Sequence, residues 1–270
     1  MEKAGVMRST PRNLWRRRHL LRILVVSNLK RQNKNTALGY LWWLLDPLLM
    51  TAIYYMLVAV LFRRQAEGMP YLLFLVVGLF AWKALADSLS QSVLMLRNQA
   101  PLLRSIGFPK AVLPISLVLS NAFYFLVALA VPFLLSFLYA PEWGCWPRWT
   151  WLLVPVALML QIIFVAGLAL VVSVLGVYFQ DTANITGHLL HMWMFFSPVL
   201  YTMDQVPEHL RPYFQLNPMA FLLPIYRDLM IAGRLPNWGQ MLAFSLAALA
   251  VGISGYLIFL RHEGRLVQRL

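Results

Sequence analysis

Three stretches of this chain carry no acidic or basic residue: between Lys110 and Glu142, between Arg148 and Asp181, and between Arg234 and Arg261. Each exceeds the roughly 20 residues that a helix needs to cross a hydrocarbon core. Strands of a membrane barrel would instead alternate in segments of about 10 residues, which these solid apolar runs do not. The chain therefore reads as an all-α membrane protein. Its composition agrees, because only 12% of its 270 residues are charged, about half of the roughly 25% found in soluble domains. So few charges cannot clothe a water-facing surface.

The formal charge is +13, a balance that would also suit a nucleic-acid binder. Its distribution argues otherwise. Ten of the 23 basic residues precede Leu38, among them Arg16, Arg17, Arg18, Lys30, Arg31 and Lys34. Basic residues beside spans mark a cytoplasmic surface that faces anionic lipid, so membrane lipids are expected partners and nucleic acid is not. Cys145 is the only cysteine, which excludes an intrachain disulfide and a cysteine metal cluster. The first apolar stretch, Leu20 to Leu29, is broken by Arg22 and lacks a small-residue cleavage site. No removable signal peptide is read there.

Residues 1–38 form a basic lead, disordered over 1–13, with a helix over Leu14 to Lys30 lying in the cytoplasmic interface. Residues 39–260 form one transmembrane domain of six expected spans, near 39–62, 71–96, 111–139, 149–179, 185–200 and 241–260, with Asp46-Pro47 interrupting the first. The loop 97–110 is long enough for a short helix, and residues 261–270 are a basic tail. Trp143, Trp146 and Trp149 suit a membrane–water belt. With the N-terminus inside, 16 basic residues fall on the cytoplasmic side and six outside, which puts both termini in the cytoplasm and Cys145 outside.

Residues 201–239 differ from the rest. They hold five prolines, and their apolar stretch, Met219 to Ile231, carries Arg227 and Asp228 and is too short to span. Apolar stretches of roughly 10–14 residues are better read as re-entrant. Such backbone survives at membrane depth only against protein or a water-filled cavity, which points to a gate. No internal repeat is found, so an inverted-repeat secondary transporter gains no support.

Asp46, Lys83 and Asp87 are the ionisable groups inside spans. A lone charge there costs roughly 2.5–3.5 kcal/mol on insertion scales, so each needs a partner or water. Lys83 and Asp87, four apart, share a helix face. A structural ion pair that also reaches Asp46 is the favoured reading, and a proton relay is the alternative. Aromatic residues make up 14% of the chain, with Tyr40, Trp42, Trp43, Tyr54 and Tyr55 in span one and Trp193, Phe195, Phe196 and Tyr201 in or beside span five. Interfacial belts and lipid packing account for most such residues; a sliding surface for sugar rings is the functional alternative. His188 and His191 lie three apart without a carboxylate on their helix, which favours packing over a metal site. There is no Walker A pattern, nucleophile elbow or HExxH motif, so the chain reads as a transport subunit and not an enzyme.

Residues 28–49 (NLKRQNKNTALGYLWWLLDPLL) resemble the approach to the first span in membrane subunits of polysaccharide-exporting ABC transporters. Residues 177–185 (VYFQDTANI) resemble the cytoplasmic turn after their fourth span, usually F-R-D. Residues 196–230 (FSPVLYTMDQVPEHLRPYFQLNPMAFLLPIYRDLM) resemble their fifth-span exit and external gate, with SP, VP, NP and aromatic-R-[DE]-L landmarks in order. The likeness runs through nearly the whole chain and is nearest to O-antigen and teichoic-acid exporter permeases, with capsule exporters further away.

That resemblance implies a homodimer of six-helix subunits in a bacterial inner membrane. It also implies two copies of a separate ATPase that binds ATP and Mg, with no cofactor in this chain, and a lipid-linked polysaccharide as cargo. It places Tyr40, Trp42, Trp43, Tyr54, Tyr55 and Phe196 along the path, and Pro218, Arg227 and Asp228 at the external gate. ATPase coupling falls to the interface helix and the 97–110 loop, where Leu102, Leu103 and Ile106 are expected to form an apolar knob, with Asp181 in the turn. Gln180 stands where the family has Arg, which removes the guanidinium that an ion pair or a lipid-phosphate contact there would use, while Asp181 is retained. A pyrophosphate head group needs cationic guidance, for which Lys30, Arg31 and Lys34 are candidates unless they serve as topology signals. Two rival classes remain: a proton-coupled secondary transporter using Asp46, Lys83 and Asp87, and an intramembrane enzyme acting on polyprenyl lipids without a partner.

Overall fold

The structure, a computed structural model, describes residues 9–32, 38–62, 68–105 and 108–269. All regular elements among the described residues are helical. Helices α1 (Pro11–Arg16) and α2 (Arg18–Gln32) precede α3 (Trp42–Tyr55), which runs on through a π turn at Met56–Leu61. Then follow α4 (Tyr71–Asn98), α5 (Ala100–Ser105), α6 (Val112–Ala128), α7 (Ala130–Trp143) and α8 (Val154–Tyr178). The chain closes with α9 (Thr182–Phe196), α10 (Arg211–Gln215), α11 (Met219–Arg227) and α12 (Trp238–Arg269).

Among the described residues, five segments are long and apolar enough to cross a membrane: Leu44–Leu61, Tyr71–Asn98, Val112–Trp143, Trp149–Tyr178 and Trp238–Leu266. The remaining expected span is α9, whose 15 residues reach only about 22 Å at 1.5 Å per residue. Its end is dictated locally. Ser197 precedes Pro198, and proline drives the residue before it out of helical geometry, here to φ −101°, ψ 144°.

Three expectations are corrected. Asp46-Pro47 does not interrupt the first span, because α3 passes through Pro47. Ser and Thr side chains, with neighbouring helices, commonly let a membrane helix tolerate proline. The basic tail is not separate either: α12 continues unbroken to Arg269. Nor is the whole 1–13 lead free, because Ser9 is fully buried and α1 starts at Pro11.

The central helix is α4. Of its 18 most apolar consecutive residues 72% are buried, against 11% in the first span, so α4 is sheathed by protein while α3 presents most of its surface outward. Helices α6, α8, α9 and α11 surround α4, and α12 lies along α8. Lipid gives helices little hydrophobic reason to associate, so close backbone approach matters more. Glycines provide it. A side chain at Gly176 of α8 would sit on the Val93 carbonyl of α4, and one at Gly255 of α12 would sit on the Gly167 carbonyl of α8.

Gly176→Ala should therefore lower the thermal midpoint of the detergent-solubilised protein, by the roughly 1–3 kcal/mol that overpacking costs. Gly187→Ala, where an added methyl meets nothing, should stay within about 0.5 kcal/mol. Equal midpoints for the two variants would contradict this packing.

Candidate functional site

Helices α3, α4 and α9 enclose a groove of about 300 Å³ lined by Pro47, Tyr54, Trp82, Lys83, Asp87 and His191, with apolar neighbours. Lys83 stands at its centre. Its Nζ lies 3.0 Å from Asp87 Oδ2, one turn along α4, and 3.4 Å from Asp46 Oδ2 across on α3. The three intramembrane charges anticipated from sequence thus form one triad that ties α3 to α4. A third or more of each side chain remains exposed, and the triad holds one more negative charge than positive. Charges within membrane-spanning helices call for water or protein beside them.

The aromatic residues separate by face. Tyr54 lines the groove, whereas Tyr55 stacks on Tyr71 at 6.4 Å between ring centres. Trp42 is exposed, and the side chains of Tyr40 and Trp43 lie outside the described residues. Phe196 is exposed at the end of α9, where Phe214 packs on it at 5.8 Å and on Tyr201 at 6.2 Å. Sequence reasoning passed over Trp82, buried at the groove and edge-to-face with Trp193 at 5.6 Å. Its spacing from Lys83 carries no signal, and only the packing reveals it.

The segment after α9 folds back into the protein, and two side chains hold it. Asn217 receives a hydrogen bond from Trp193 Nε1 (2.8 Å) and another from the Met219 amide (3.0 Å). It donates to Ser197 Oγ (2.8 Å) and the Phe196 carbonyl (3.1 Å). It thereby joins the end of α9 to the start of α11, which begins after Pro218. Arg227 is almost fully buried. Its guanidinium donates to the carbonyls of Pro198 (2.7 Å) and Val199 (2.9 Å) and lies 3.4 Å over the ring of Phe74. A methyl group on Gly78 would come within 2.6 Å of that guanidinium, so glycine there admits it. Arg227 and Asp228 do not pair with each other: Asp228 accepts from Arg234 Nε at 2.8 Å.

Gln161, buried in α8, completes the fixing of α11. It donates to the Ala81 carbonyl of α4 (2.9 Å) and accepts from the Tyr226 hydroxyl (2.7 Å). One amide therefore links three elements.

Lys30 and Arg31 are exposed at the end of α2; Lys34 lies outside the described residues. Leu102 is half-buried, but Leu103 points into the protein's own core with Phe108, Leu113, Phe259 and Leu266. Ile106 lies outside the described residues. A knob including Leu103 is therefore not presented outward, and a charge placed there would act on folding before any docking. Asp181 is exposed just before α9. Missed by the sequence reading, Glu263 is buried and accepts hydrogen bonds from the Ser9 amide (2.8 Å), the Ser9 hydroxyl and the Lys110 amide (3.2 Å). Burial pulls the Lys110 ammonium below the usual lysine range, against the opposing pull of Glu263. Cys145 is 4% exposed, and burial raises its thiol pKa more than Arg148 lowers it.

Residues 19–231 match the ABC-2 type transporter family. The chain belongs to that family. It is similar to the O-antigen export system permease protein RfbA of Myxococcus xanthus, with 32% identity over 242 residues, 89% of this chain and 90% of that protein. The protein of the same name from Klebsiella pneumoniae is 29% identical over 252 residues, 93% of this chain and 95% of the relative.

Arg227→Leu should leave two buried carbonyls without donors and lower detergent stability by roughly 2–3 kcal/mol. Arg227→Lys should recover only part of it, because an ammonium lacks the planar fork that reaches both carbonyls. Thermal melting of the two variants checks this, and full recovery by lysine would contradict the forked contact.

Proposed function

We propose that this chain is the membrane subunit of an exporter that moves a lipid-linked, O-antigen-like polysaccharide from the cytoplasm to the outer side of a bacterial inner membrane. The observation that carries this reading is the groove, in which an ion triad with a net negative charge sits among aromatic residues inside the membrane-spanning helices. A sliding glycan needs weak, repeated contacts. Aromatic faces and water-accessible carboxylates supply these without a deep pocket, and the names of the relatives favour this cargo. Capsular polysaccharide is the alternative cargo within the same class.

In this reading two copies of the chain face each other across their grooves, and two copies of a separate ATPase, binding ATP and Mg, drive the cycle. Helix α9 serves as the fifth of six spans, α10 and α11 form the external gate, and both termini face the cytoplasm. Asp181 and the exposed parts of α2 and α5 meet the ATPase, while Lys30, Arg31 and Lys34 guide the anionic head group inward.

Tyr54→Ala should lower surface glycan several-fold while the protein still copurifies with its ATPase. Tyr55→Ala, removing the stack on Tyr71, should instead lower the yield of the extracted complex. Measuring surface glycan and complex yield together tests the path, and unchanged glycan in the Tyr54 variant would exclude this helix from it.

Topology has its own test. Because native Cys145 is buried, it is replaced by alanine, and single cysteines are placed at the exposed positions Trp146 and Arg265. An impermeant maleimide should label the Trp146 position in intact spheroplasts and the Arg265 position only after permeabilisation. The reverse pattern would invert the assignment.

A further inference from the structure

The buried polar cluster at the inner end of the protein joins three segments that are remote in sequence. Glu263 is 1% exposed, Ser9 is fully buried and Lys110 is 4% exposed. The carboxylate collects its three donors from two of these segments: the Ser9 amide and hydroxyl before α1, and the Lys110 amide between α5 and α6. Lys110 Nζ turns away from the carboxylate to the Glu263 main-chain carbonyl at 2.8 Å. The Ser9 hydroxyl also accepts from the Ala111 amide at 3.1 Å, and the Ser9 carbonyl accepts from the Tyr256 hydroxyl.

A buried carboxylate is unfavourable unless its lone pairs are matched, as they are here. Apolar packing alone would join these segments with less directional demand, and it is already present: Leu103 of α5 packs with Phe259 and Leu266 of α12. The polar set adds register. It fixes the stretch after α5 to one position on the last helix, where apolar surfaces would slide.

What α12 touches next gives that register a use. Gly252 and Gly255 bring α12 against the backbone and Ile163 of α8 so closely that the two helices have little freedom to move separately. From α8, Gln161 reaches Tyr226 on α11. We propose that Glu263 is a positioning residue for export: it fixes the 97–110 loop to α12, so that displacement of the loop moves α12 and α8 together and reaches the re-entrant helix. This rests on the ATPase-driven reading above.

The test compares Glu263→Ala, Glu263→Gln and Ser9→Ala in the complete complex, reading ATP hydrolysed per surface glycan exported. Glu263→Ala should still assemble and hydrolyse ATP, yet export about fivefold less glycan per ATP, equivalent to about 1 kcal/mol of coupling at RT. The amide of Glu263→Gln still accepts from the Ser9 hydroxyl and the Lys110 amide but faces the Ser9 amide with a donor, so it should fall between wild type and alanine. Where the alanine variant fails to accumulate, Ser9→Ala, which removes one hydroxyl, carries the test and should shift the ratio in the same direction. A wild-type ratio in the assembled variants overturns the proposal. A wild-type protein that copurifies with no ATPase and exports no glycan defeats the transport reading itself, a result distinct from normal export with an unchanged ratio.

Discussion

Lipid tails offer no hydrogen bonds, and the architecture follows from that constraint. Where the backbone leaves helical geometry after α9, side chains take over the exposed carbonyls. Arg227 does so for Pro198 and Val199, and Asn217 for the turn after Phe196. Each is then shielded by its neighbours, Arg227 under Phe74 and Asn217 beside Trp193. Without them the chain from α9 to α11 would bring unpaired polar groups into an apolar interior, where each costs several kcal/mol.

Polar residues in such a protein therefore have two distinct jobs. Gln161, Asn217 and Glu263 have their hydrogen bonds made internally and hold elements in place. Asp46, Lys83 and Asp87 are partly satisfied and open to the groove. The first group fixes geometry; the second keeps a polar surface available inside the membrane. Helix α4 links the two, since its buried faces meet Arg227 and Gln161 while its open face carries Lys83 and Asp87.

Much of the fold was legible in the sequence because long charge-free runs admit few alternatives. The i, i+4 spacing of Lys83 and Asp87 also placed them correctly on one helix face. What could not be read was pairing at long range. Glu263, flanked by Arg261 and Arg265, looks like part of a solvated tail, because its donors are 153 and 254 residues away. Periodicity assigns a residue to a face but not to a neighbour, so Leu103 looked available for docking when Phe259 and Leu266 already cover it. Asp46-Pro47 misled for a different reason: proline's lost donor was visible, but a membrane helix can run on past it, as α3 does.

The shortness of α9 has a consequence for what lies beside it. Its 15 residues cover about 22 Å, while a typical hydrocarbon core is about 30 Å thick. A bilayer meeting a short hydrophobic element thins locally or draws polar groups toward it. With α9 as the proposed fifth span, water and head groups would reach closer to the mid-plane along it than along α8 or α12. In the proposed function, a hydroxyl-rich chain passing there would face a narrower dielectric barrier than the rest of the membrane presents.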